Sequence, residues 1–191
     1  MNDEFEKVKI PQKVYWKIDK AVATMYEMLK IDSVPIDPFA IAKSLNIEVI
    51  PYSKLNEDEL KDALENPRDG LSYFNTEKKK FIIWYNDRGA CRARQRFTIM
   101  HEIGHIWLGH KVDSILAEMQ ANAFASYALA PSPVIHVIPH ESFVDYMSIF
   151  DISSDGAYYT FYRYKQWTHQ IEERKLFDFE VKLMDTFRKN K

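Results

Sequence analysis

The sequence is poor in the features that would send it out of a cell or onto a surface. Its 191 residues include one cysteine, Cys91, which excludes an intramolecular disulfide and suits a reducing compartment. Nowhere does an unbroken apolar stretch approach the roughly 18 residues of a membrane span. The opening MNDEFEKVKIPQKVYW has acidic residues where a signal peptide needs positive charge, and no apolar region follows. A cytoplasmic protein is the expectation. Lys plus Arg (26) against Asp plus Glu (28) leaves a net charge of -2, so bulk charge calls for neither nucleic acid nor membrane. Repeats and low-complexity tracts are also missing.

What is present is an ordinary globular composition, 46% hydrophobic and 28% charged, long enough for one substantial core. A single domain over 1–191 is expected, with N-terminal helices and a first strand (1–52), a sheet and central helices (71–130), and a helical C-terminal part (131–191). Apolar residues at Val14, Ile18, Val22, Met25 and Leu29 form a helical stripe. Asp37 can cap a short helix reaching Leu45, with Pro38 at its first position. Strands are predicted at 47–52 (IEVIPY), 71–74 and 81–85 (FIIWY), the last two joined by the polar turn NTEKKK. The acidic stretch 53–70, ending in Asn66, Pro67, Asp69 and Gly70, reads as a mobile excursion. Residues 91–108 read as a buried helix stopped by Gly109, and 114–129 as a second, ended by Pro131 and Pro133. The spacing predicts irregular chain at 131–140, a helix capped by Ser153 and running through Tyr164, and an exposed amphipathic helix over 172–188. This order gives an α+β class, mainly helical, with a small three-stranded sheet packed on one side of the helices.

The chemistry concentrates in FTIMHEIGHIWLGH (97–110). His101 and His105 stand four apart on a predicted helix, one above the other, so both imidazoles can reach one ion. Glu102 lies about 100° round the helix from His101. It therefore falls outside the ligand set, yet near a water at an open coordination position, where it would act as general base. The alternative is a buried helix with two satisfied histidines. Two imidazoles and a carboxylate are costly on an apolar helix unless something pairs them, which favours a zinc site.

A catalytic zinc normally takes three protein ligands. Leu108 and Lys111 occupy the positions that a third histidine motif (HExxHxxGxxH) would require to be Gly and His, so that pattern fails. Glu118, the one acidic residue of the run 115–129, is the candidate, with Asn122 one turn on to hydrogen-bond a ligand histidine. His110 falls past the helix end and is expected to be structural there. His136 and His140 are candidates for oxyanion stabilisation, although isolated loop histidines are more often incidental. Cys91 is expected as a small buried hydrophobe, and Arg92, Arg94 and Arg96 as a solvated helix face. The strand at 81–85 is expected to offer an edge for an extended peptide.

RFTIMHEIGHIWLGH (96–110), followed by EMQANAFASYALAP (118–131), resembles the ImmA/IrrE metallopeptidases, with their FTxxHExGHxxLGH stretch and E-x-E-A-N-x-F-A helix. VPIDPFAIAKSLNIEVIP (34–51) and FDISSDGAYYTFYRY (150–164) are similar to flanking blocks of that family. The resemblance implies a zincin-like fold, zinc on His101, His105 and Glu118, and Glu102 as the catalytic residue. It also implies a regulatory protease of a bacterium or phage that cleaves a separate helix-turn-helix repressor. Gln120 stands where the family often has a second Glu, and Leu129-Ala130-Pro131 replaces its usual Leu-Met-Pro. The rival function is a zinc-stabilised binding module that docks a regulator without cutting it. No direct nucleic-acid or membrane partner is expected, and oligomeric state is left open.

Overall fold

The computed structural model describes residues 10–65, 69–112 and 114–188. The first nine residues, and with them most of the stretch read against a signal peptide, lie outside these, as do Asn66 and Pro67. Among the described residues are nine α-helices and three strands, a mainly helical α+β arrangement. No helix among them is long and apolar enough to cross a membrane.

The first helix, α1 (Gln12–Leu29), buries Ile18, Val22 and Met25 from the predicted stripe, with Val14 and Leu29 packed at its margins. In α2 (Pro38–Ser44) Pro38 takes the first turn, and the Asp37 side chain accepts from the Phe39 amide at 2.9 Å. The strand β1 (Glu48–Pro51) follows, ended by its proline.

Where a mobile excursion was expected, residues 57–65 form α3 (Glu57–Glu65). Its start is closed reciprocally: the Glu59 amide donates to Asn56 Oδ1 at 2.9 Å, and the Asn56 amide donates to Glu59 Oε2 at 3.0 Å. Three acidic residues in the first turn, Glu57, Asp58 and Glu59, also suit the positive end of the helix dipole. Acidity here marks a helix N-terminus rather than loose chain. Ala63 is buried beside Tyr52, Ile82 and Trp84, so α3 covers the far side of the sheet.

Strands β2 (Gly70–Asn75) and β3 (Lys80–Tyr85) complete the sheet in the order β1-β3-β2. β1 runs parallel to β3, and β2 antiparallel to it, with Ser72 opposite Ile83. The expected edge at 81–85 is therefore the central strand. Ile83 faces the main core and Ile82 and Trp84 face the cluster under α3, so both faces are covered. A continuous apolar run suits that central place better than an edge.

α4 (Arg92–Leu108), closed by Gly109 in the left-handed region at φ 71, packs against this sheet, and α5 (Ile115–Leu129), capped by Ser114 Oγ, packs against α4 and α1. Residues expected to be irregular form a short helix, α6 (Ser132–Val137), because Pro133 sits in its first turn and Val134, Ile135 and Val137 are buried. After α7 (Asp145–Phe150), α8 (Ser154–Glu173) starts at the predicted Ser153 cap but runs nine residues beyond Tyr164. α9 (Asp178–Arg188) begins later than expected and buries Leu183, Met184 and Phe187, so only one of its faces meets solvent.

The break between α8 and α9 is held by Glu180, 2% exposed. Its carboxylate accepts from the Trp167 indole at 2.6 Å, from the Arg174 guanidinium at 2.6 and 2.8 Å, and from the Phe177 amide at 2.7 Å. A buried charge so fully paired is expensive to expose singly.

A half-buried acid, Asp19, has a measurable consequence. Burial pushes the Asp19 carboxyl up to about 7, against the pull of Arg163. The folded chain then holds a proton that the unfolded chain releases near pH 4. Asp19 thus contributes stability that is fully present below about pH 4 and is lost as pH rises through 7. Denaturant unfolding at pH 5 and pH 8 should show an Asp19→Asn variant losing less stability across that interval than the wild type. Equal losses in the two proteins would remove Asp19 as the source.

Candidate metal centre

The site rests on how α4 and α5 are brought together. Gly104 permits their contact: a Cβ there would stand 3.0 Å from Phe124 Cδ1 and 3.2 Å from Phe124 Cβ. The start of α4 is pinned by Arg96, only 2% exposed, which donates to the Asp151 carbonyl at 3.0 Å and the Ile36 carbonyl at 2.6 Å. Arg92 pairs with Asp151 and Arg94 with Asp69. Arg92 and Arg94 keep the expected solvated face, whereas Arg96 departs from it and is buried. Cys91, expected buried, is exposed at the N-cap of α4.

On this scaffold His101, His105 and Glu118 converge, their ligand atoms all within 4.8 Å of one another. His101 Nε2 lies 3.0 Å from His105 Nε2 and 3.3 Å from Glu118 Oε2, and His105 Nε2 lies 3.5 Å from Glu118 Oε1. Ligands about 2.0–2.1 Å from a tetrahedral ion stand roughly 3.3–3.4 Å apart, so the spacing suits one small cation. At the opposite side of its ring, His101 Nδ1 meets Asn122 Oδ1 at 3.0 Å. Asn122 can only accept through that oxygen, which puts the proton on Nδ1 and leaves the Nε2 lone pair facing the cluster. Two imidazoles and a carboxylate offer the nitrogen and oxygen donors that zinc accepts.

Glu102 lies outside this group and is buried, at 6% exposure. Ser72 Oγ donates to its Oε2 at 2.7 Å. The contact depends on β2 pressing closely on α4. At Gly70 a Cβ would fall 2.5 Å from Thr98 Cγ2 and 2.9 Å from the Trp84 carbonyl oxygen, leaving no room for a side chain. Burial, then the charges of Glu102 and Asp69, hold the Tyr52 hydroxyl above its usual range. Sequence reasoning missed Ser72 and Tyr52. A serine in a strand and a tyrosine after one carry no signal until the sheet is placed against α4.

The remaining candidates separate. Asn122 takes its expected place against His101. His110 also joins the site, although from behind: its Nδ1 lies 3.1 Å from His105 Nδ1. His136 and His140 are not among the converging residues and sit in an aromatic cluster instead. His136 Nδ1 is 3.1 Å from the Tyr164 hydroxyl and its ring packs on Trp167, while His140 lies against Tyr146 and Tyr164. Burial, with Arg188 and His140 nearby, lowers the His136 pKa. Their contacts are with residues of α7 and α8.

Residues 42–154 match the Peptidase_M78 model, described as the IrrE N-terminal-like domain. Among individually curated proteins, none matches the chain. The matched segment covers more than half of the sequence and contains the whole of α4 and α5, with all three converging side chains. The chain belongs to the IrrE N-terminal-like family of metallopeptidases.

Proposed function

We propose that this chain is a zinc-dependent endopeptidase that cleaves a separate helix-turn-helix repressor, as a regulatory protease of a mobile element, phage or stress response. The observation carrying the chemistry is the convergence of His101, His105 and Glu118 beside a buried Glu102. Bound there, zinc supplies a Lewis acid that polarises a carbonyl and brings the pKa of water to about 7. His101 and His105 would hold the ion through Nε2 and Glu118 through its carboxylate, with Asn122 fixing the His101 ring. Glu102 takes a proton from the attacking water and passes it to the leaving amine. The Ser72 hydroxyl, donating to one Glu102 oxygen, orients the carboxylate for that transfer.

Substrate binding falls to β2 rather than β3. β2 pairs only with β3 among the described residues, and its Ser72 side chain reaches Glu102. An extended segment hydrogen-bonding along its other edge would lie next to the catalytic carboxylate. The repressor assignment is supported by the family membership and is tested directly. The purified chain is incubated with the repressor encoded beside its gene, with added zinc or with a chelator. Discrete fragments with zinc and none with chelator are expected. A repressor that stays intact with zinc bound to the protein would overturn the assignment.

A further inference from the structure

His105 carries a second set of contacts at the ring nitrogen that does not face Glu118. His110 Nδ1 lies 3.1 Å from His105 Nδ1, and His110 Nε2 lies 2.9 Å from Gln120 Oε1. The His110 ring stands at 76° to that of His105, with centroids 5.0 Å apart. The amide of His110 also donates to the His105 carbonyl at 3.0 Å, so the turn after α4 clamps both ends of the pair.

Two imidazole nitrogens at this distance need one proton between them, and a neutral imidazole has one donor and one acceptor. The Gln120 oxygen can only accept, which places the proton of His110 on Nε2. Nδ1 of His110 is then bare and accepts from His105 Nδ1–H. His105 Nε2 is in consequence a lone pair, and it faces Glu118 and His101. Turning the Gln120 amide over reverses every bond in the chain. His105 would then carry its proton on Nε2, aimed at His101 Nε2 3.0 Å away, where it would exclude a cation.

We infer that Gln120 and His110 form a directional relay that sets the tautomer and ring orientation of His105, and so prepares it to bind metal. This rests on reading His101, His105 and Glu118 as a metal centre. His110 and Gln120 are positioning residues: neither contributes an atom to the converging group. At Gln120 the chain has an amide that can face either way, whereas a carboxylate could only accept and would hold the relay in its metal-ready direction.

The test is zinc affinity, measured by competition with a chromophoric chelator, alongside circular dichroism and thermal unfolding of the metal-free proteins. Outer partners of ligand histidines typically govern about 10–100-fold in metal affinity. His110→Ala should bind zinc about 10–100-fold more weakly than wild type, and Gln120→Leu about 10-fold more weakly. Gln120→Glu should bind at least as tightly as wild type. A merely structural role does not predict that rescue. Wild-type affinity in both His110→Ala and Gln120→Leu would overturn the relay, as would Gln120→Glu weakened as far as Gln120→Leu. If His110→Ala fails to fold, the two Gln120 variants decide the matter between them. A wild-type protein that binds no zinc would overturn the metal centre itself, a result distinct from any difference among variants.

Discussion

Replacing Glu102 with glutamine is expected to lower repressor cleavage by about 10²–10⁴-fold, the usual contribution of a positioned general base, while zinc stays bound. The two side chains have nearly the same shape, and the amide oxygen can still accept from Ser72 Oγ, which reaches the present carboxylate at 2.7 Å. Metal affinity should hold because Glu102 is outside the converging group. What disappears is the ability to take a proton. The measurement is kcat/KM on the repressor beside zinc content per chain. Cleavage near the wild-type rate in a zinc-loaded Glu102→Gln protein would remove Glu102 from the reaction. The experiment also separates a protease from a docking module. In the module the substitution changes nothing measurable, and the wild type itself leaves the repressor whole.

Glu118→Ala is expected to abolish tight zinc binding, a loss larger than the ~10–100-fold attached to outer partners such as Asn122. Two histidines from one helix remain, but the donor supplied by α5 is gone. The consequence reaches stability, because a ligand that binds only the folded chain stabilises it by mass action. Zinc at a hundred times its dissociation constant adds about 2.7 kcal/mol, or a rise in Tm of roughly 5–10 °C for a chain of this size. Wild type should show that rise in calorimetry with and without zinc, and Glu118→Ala should not. An equal rise in both proteins would show that residue 118 is not a ligand.

How far these side chains could be read in advance varies with how local their determinants are. His101, Glu102 and His105 form a pattern within five residues, and helical periodicity alone puts both imidazoles on one face. Glu118 was legible as the one acid in an apolar run, and Asn122 because it stands one turn further on the same helix. His110 was read as a helix-end residue, and it does close the turn. Its contacts with His105 and Gln120 needed the actual crossing of α4 and α5, which Gly104 makes close. Ser72 was invisible, since its partner is 30 positions away.

Where expectation and structure part, the cause is competition between local signals and long-range packing. The acidic run before Gly70 carried turn and charge signals, yet the Asn56–Glu59 capping pair and one buried alanine make it helical. Arg96 looked like a solvated residue until backbone carbonyls from residues 36, 150 and 151 closed round it.

The sequence by itself determined the helix-borne donor pair, the acid beside it, the caps at Asp37 and Ser153, and the mainly helical class. These depend on contacts within a few residues, where backbone geometry dictates which side chains meet. Only the tertiary structure decided that β3 is central and β2 the edge, that Ser72 meets Glu102, and that His110 and Gln120 stand behind His105. Those pairings join residues that chain connectivity leaves free to be anywhere. The burial of apolar faces on both sides of one small sheet is what brings them together.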